Sequence, residues 1–144
     1  MIESMVAAYL ACAEWSSHGS MPPSYRDRNT RGRFIRSDKG DRPLDSLPHR
    51  GWHKSAIVSA RQDIDTFLVK CAAANIDVAC YDASRVGHDL WLTRNGHGTG
   101  FWDRPEVYDS EHEDYARQLT DISHALGECD PYVGDDMYLH FDGT

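Results

Sequence analysis

The stretch GHDLWLTRNGHGTGFWDR, Gly87–Arg104, carries the densest chemistry in the chain, and its reading decides the fold. Asn95-Gly96 lies near its middle. This dipeptide predicts a two-residue hairpin, because both central positions of a type I′ turn need positive φ. The register follows. Arg94 faces His97, Thr93 faces Gly98, Leu92 faces Thr99, Trp91 faces Gly100, and Leu90 faces Phe101. Alternation then separates two faces. Leu90, Leu92 and Phe101 belong to the core. Asp89, Trp91, Thr93 and Trp102 share the other face with Gly98 and Gly100. Two indoles beside bare backbone suit packing under a helix first, and stacking on a flat partner such as a base second.

The same stretch raises the question of a metal. His88, His97 and Asp103 are the residues of that reading, since histidine and aspartate ligate zinc or iron. In the hairpin register His88 and His97 lie roughly 20 Å apart at ~3.3 Å per residue, and His88 and Asp89 point to opposite faces. No metal and no cofactor is therefore expected. His88 and Asp103 form at most a cross-strand pair, and Arg94 with His97 caps the turn end. His49 and His53, four apart at the start of a helix, read as a polar lead-in. No catalytic residue is assigned: GxSxG, P-loop and GxGxxG patterns are missing, and the chain leans away from an enzyme.

Outward from the hairpin, helical spacing is clear in two places. Ile2, Met5, Val6, Tyr9, Leu10 and Ala13 predict a first helix from Ile2 to Trp15. Ile57, Ala60, Ile64, Phe67, Leu68, Cys71 and Ala72 predict a second from Lys54 to Ala74, with Asn75 at its end. Ser110 followed by Glu113 reads as a capping box. It opens a third helix that runs through Tyr115, Leu119, Ile122 and Leu126 to Gly127. At the C-terminus, Cys129–Val133 and Met137–Phe141 form a second hairpin around Gly134-Asp135-Asp136. The expected fold is α+β: three helices packed on a small antiparallel sheet built from two hairpins. It forms one domain over 1–144, with a basic, mobile loop at about 16–53.

Charge is unevenly spread along a chain of net charge −8. Residues 16–53 carry eight Arg and Lys against four Asp, whereas residues 103–144 carry twelve Asp and Glu against Arg104 and Arg117. The basic loop, with Arg26, Arg28, Arg31, Arg33 and Arg36, suits phosphate contacts or a solvated arm. The acidic third repels nucleic acid and attracts a basic protein surface. The four cysteines are dispersed, with no CxxC pair, and read as free thiols that are mostly buried. No apolar run reaches the ~20 residues of a membrane span. Glu3 stands where a secretory signal carries positive charge, so a cytoplasmic location is expected.

Gly87-His88-Asp89, Trp91-Leu92-Thr93-Arg94, Gly96-His97-Gly98 and Gly100-Phe101-Trp102-Asp103 together resemble a motif in a family of small proteins of tailed bacteriophages, prophages and related mobile elements. Weaker similarity extends over Tyr9–Ser17, Pro43-Leu44-Asp45, the second helix and Gly127–Asp136. The arm from Ser20 to Lys39 departs from the shorter, more acidic connection of that family. The resemblance implies a non-enzymatic accessory protein, cytoplasmic in an infected bacterial host. It would bind a host or phage protein, and an inhibitor of a host defence system of the anti-CRISPR or antirestriction type is one form of this. The expected binding residues are Asp89, Trp91, Thr93, Arg94, His97, Trp102, Glu111, Glu113 and Asp114. Nucleic-acid binding through the basic arm and exposed Trp residues is the alternative, and a metal-dependent hydrolase the third.

Overall fold

The computed structural model describes residues 1–23, 25–28, 34–36, 41–110 and 113–142. Arg31, Arg33 and Glu111 lie outside them, and Arg26, Arg28 and Arg36 enter as strand backbone. Among the described residues five helices carry the fold. α1 spans Ile2–Ser16, and four short strands follow: β1 (His18–Gly19), β2 (Arg26–Arg28), β3 (Phe34–Arg36) and β4 (Arg42–Pro43). Then come α2 (Lys54–Ala73), α3 (Ala83–Arg94), α4 (Pro105–Tyr108), α5 (Tyr115–His124), β5 (Pro131–Val133) and β6 (Leu139–Phe141). The strands pair antiparallel as β1–β4, β2–β3 and β5–β6.

The mixed helix-and-strand class stands as expected, but the segment that decided the expectation is helical. Gly87–Arg94 forms the greater part of α3, and no strand occupies Gly87–Arg104. Asp82 starts this helix, its Oδ2 accepting the Arg85 amide at 3.0 Å, which satisfies one of the first unpaired amides. Asn95-Gly96 stops it. Asn95 keeps a negative φ of −99°, so no type I′ turn forms, and Gly96 alone takes φ +72°. The Gly96 amide donates to the Thr93 carbonyl at 3.2 Å and the His97 amide to Leu92 at 2.8 Å. That pair of bonds is a Schellman closure, whose left-handed position favours glycine for the same reason a hairpin does.

α3 is the central helix. Val86, Leu90, Trp91 and Leu92 are buried, and so are Asp89, Thr93 and Arg94. α1 packs along it through Met5, Val6, Tyr9, Leu10, Cys12 and Ala13, while Ile64, Phe67 and Cys71 of α2 and Ala116 and Leu119 of α5 close the same core. The contact with α1 is close enough that a Cβ on Gly87 would lie 2.2 Å from the Met5 carbonyl oxygen.

The expected α1 and α2 match the observed helices within two residues, and Asn75 takes the left-handed φ of 61°. The third helix starts later than expected. The Ser110 hydroxyl donates to the Val107 carbonyl at 2.9 Å instead of capping. Asp109 Oδ1 accepts the Ala116 amide at 2.8 Å, and α5 begins at Tyr115. The C-terminal hairpin forms with Pro131 opposite Phe141, Tyr132 opposite His140 and Val133 opposite Leu139. Its β6 edge is covered by the lead-in to α2: the Leu139 amide donates to Gly51 at 2.8 Å and the His53 amide to Leu139 at 2.9 Å. A smaller core of Met21, Leu44, Leu47, Val133 and Leu139 sits here, and Trp52 packs against both cores.

The four cysteines are unbridged; Cys12 and Cys71 are buried, Cys129 is half-buried and Cys80 is exposed. Burial pushes the Cys12 and Cys71 thiols up to about 12 and Cys129 to about 11. Since the thiolate is the reactive form, a bulky thiol reagent at pH 8 is expected to label Cys80 alone in the native protein and all four thiols in denaturant. Labelling of Cys12 as fast as Cys80 would contradict the α1–α3 packing.

Candidate functional site

Because α3 replaces the expected hairpin, the predicted binding face does not assemble. Trp91 is 1% exposed, its indole N–H donating to the Ser16 hydroxyl at 3.0 Å, so no stacking platform exists there. Thr93 is buried, and its Oγ1 accepts the Phe101 amide at 3.0 Å. Arg94 is a buried tie. Its Nε donates to the Gly127 carbonyl at 2.8 Å, Nη2 to Leu126 at 3.1 Å, and Nη1 to the Tyr9 hydroxyl at 2.8 Å and Asp63 at 2.6 Å. These three residues serve the core, because α3 is buried at every position from Asp89 to Arg94.

Asp89 is fully buried, and three donors converge on its carboxylate. The Tyr108 hydroxyl donates at 2.5 Å, Arg104 Nε lies at 3.3 Å and His88 Nδ1 at 3.1 Å. Burial, then the hydrogen bond to Asp89, holds the Tyr108 phenol far above its ordinary pKa. His88 and Asp89 therefore meet, although a strand would have placed them on opposite faces. One helical step of about 100° allows adjacent side chains to converge. Sequence reasoning assigned no role to Tyr108 or Arg104. Both lie 15 or more residues beyond Asp89, and only the fold back from α3 through the loop to α4 brings them in.

The metal alternative does not come together. His88 is held by Asp89, and Asp103 Oδ2 accepts the Thr99 amide at 2.7 Å. Among the described residues no three histidine, cysteine or acidic side chains are grouped to hold a metal. His49 and His53 also part ways: His49 Nε2 bonds Glu14 at 2.7 Å, while His53 Nδ1 caps α2 on the Ser55 amide at 3.1 Å.

What stays on the surface is the loop after α3. Trp102 is 61% exposed and stands between two depressions. One, of about 490 Å³, includes His97, Gly98, Asp103, Thr120 and His124 in its walls. The other, of about 300 Å³, is walled by Pro105, Asp109, Asp114, Ala116 and Arg117. Thus His97, Trp102 and Asp114 of the predicted residues share one surface. It joins the loop to α5, where Asp121 is exposed, as are Glu106 and Glu113 nearby in sequence. Arg117 in its wall is shared between Asp114 at 3.7 Å and Asp121 at 3.4 Å, so the surface remains acidic. Gly100 anchors the loop from beneath: a Cβ there would meet Thr93 Oγ1 at 2.1 Å.

Fold and site together define a small mixed helix-and-strand protein with an acidic, tryptophan-centred surface. No family profile, curated protein or solved structure matches the chain. No helix among the described residues is long and apolar enough to cross a membrane.

Proposed function

We propose that this protein acts by binding, without catalysis, and that it engages a basic protein surface through Trp102 and the carboxylates around it. The observation that supports this reading is the exposure of Trp102 between two depressions on an acidic face. An indole has a large apolar area and few rotatable bonds, so it gains more on burial in a partner than most side chains. Surrounding carboxylates, Asp103, Glu113, Asp114 and Asp121, raise the encounter rate with a basic partner and reject acidic ones. The resemblance to phage accessory proteins extends the reading to a host or phage protein, with an inhibitor of a host defence complex as one form of it.

The test is capture from bacterial lysate followed by affinity measurement on the recovered protein. Trp102→Ala is expected to weaken binding about 30-fold or more, in the range of an aromatic anchor, while leaving the melting temperature unchanged. Glu113→Gln with Asp114→Asn and Asp121→Asn is expected to slow association and flatten its salt dependence. Recovery of no specific partner, or full affinity in the Trp102→Ala variant, would overturn the proposal.

A further inference from the structure

A third cavity lies between α1 and α3. It measures about 420 Å³, and its lining includes Trp15 of α1, Arg85, His88 and Asp89 of α3, Asp82 before that helix, and Arg104. In size it falls within the range of small-molecule sites. Its charged lining is Arg85 and Arg104 together with the carboxylates of Asp82 and Asp89. The Arg85 guanidinium has no hydrogen-bond or ion-pair partner among the described residues. Arg104 donates its Nε–H to the Thr99 carbonyl at 3.1 Å and pairs with Asp89 at 3.3 Å. Asp89 is already met by three donors, and Asp82 uses an oxygen on the Arg85 amide. Two guanidiniums thus line one cavity, beside two carboxylates that already accept hydrogen bonds, in a chain with net charge −8. Guanidinium groups present paired N–H donors that match phosphate oxygens.

The lining also holds an aromatic pair. The Trp15 indole is 52% exposed and stacks on the His88 ring, with centroids 5.9 Å apart and planes 27° apart. Asp89 fixes His88 from behind, because a carboxylate accepts from Nδ1–H and holds the imidazole in one orientation. His88 in turn packs on the indole, about half of which stays open to solvent.

We infer that this cavity binds a small phosphate monoester carrying a flat ring, of the mononucleotide class. Arg85 and Arg104 take the phosphate and Trp15 stacks on the ring. A single nucleotide suits the volume. Base stacking on an aromatic side chain requires no particular base.

Calorimetric titration with adenosine 5′-monophosphate, uridine 5′-monophosphate, adenosine and inorganic phosphate tests the inference. At least one monophosphate is expected to bind about tenfold or more tighter than adenosine and phosphate alone. Arg85→Ala and Trp15→Ala are each expected to cut that affinity about tenfold or more. Both side chains are exposed, so the melting temperature is expected to stay within about 2 °C of the native value. Three results would each overturn the site: no binding by either monophosphate, unchanged affinity in both variants, or tighter binding of a single-stranded oligonucleotide than of either monophosphate. Trp102→Ala is expected to leave nucleotide affinity intact, which separates this cavity from the proposed protein-binding surface.

Discussion

Replacing Gly87 with alanine is expected to destabilise the protein by about 2–3 kcal/mol, the cost of overpacking a tight core. The direction is the informative part, because propensity alone points the other way. An alanine inside a helix is worth about 0.5–1 kcal/mol more than a glycine, so an isolated α3 would gain from the change. In the folded protein the new Cβ would lie 2.2 Å from the Met5 carbonyl oxygen and 2.9 Å from its carbonyl carbon and Cα. All three are backbone atoms of α1, so no side chain can rotate away and the two helices must separate. That movement loosens the edge contact between Tyr9 and Trp91. For a chain of this length the loss corresponds to roughly 6–12 °C in melting temperature. Thermal unfolding followed by far-ultraviolet circular dichroism reads it directly. An unchanged or raised midpoint would mean that α1 and α3 do not approach this closely.

A larger loss is expected from Arg94→Ala, about 3–5 kcal/mol, the range for removing one partner of a buried ion pair. Arg94 lies at the last turn of α3 with 5% of its side chain exposed. It reaches four partners on three other segments: Tyr9 on α1, Asp63 on α2, and the carbonyls of Leu126 and Gly127 just beyond α5. Removing it leaves a cavity and takes a donor from the Tyr9 hydroxyl, whose residue is fully buried. Burial, the largest influence, already drives the Tyr9 phenol well above its ordinary range, so ionisation offers no relief. Asp63 is one-third exposed, and water recovers part of its cost. Arg94→Lys keeps the charge but replaces a planar fork by a single ammonium that cannot serve divergent partners. It is expected to recover less than half of the loss. Equilibrium urea unfolding of both variants measures these values. A loss below about 1 kcal/mol for Arg94→Ala would show that the four bonds contribute little beyond what water supplies.

These two residues also mark the limit of sequence reading. Elements with a polar side were legible. α2 buries Ala60, Ile64, Phe67 and Cys71 on one stripe, and its period identifies both type and extent, although Ile57, expected in that stripe, is exposed and Ala56 is buried in its place. α1 and the C-terminal hairpin were legible for the same reason, each having a covered and an open face. α3 had no such contrast. From Asp89 to Arg94 every residue is buried, so apolar and polar positions carry neither a period of two nor one of 3.6. Alternation through Leu90 and Leu92 then passed for a strand, and Asn95-Gly96 supplied a turn.

The local chemistry was read correctly in kind: Gly96 does take positive φ. A glycine with that freedom ends a helix as readily as it turns a hairpin, and nothing within five residues separates the two. Ser110 and Glu113 likewise made a valid local cap that the protein leaves unused, since Asp109 bonds the Ala116 amide instead.

The sequence by itself determined the mixed class, the first two helices, the closing hairpin and the charge asymmetry that leaves Trp102 on an acidic surface. Tertiary structure alone decided that Gly87–Arg94 is a helix. Asp89, Thr93 and Arg94 can enter a core only when Tyr108, the Phe101 amide, Tyr9 and Asp63 arrive to satisfy them. Those partners lie between 8 and 85 residues away in the chain. A buried polar group is tolerated only when its hydrogen bonds are made, and the groups that make them here are brought together by packing, not by spacing.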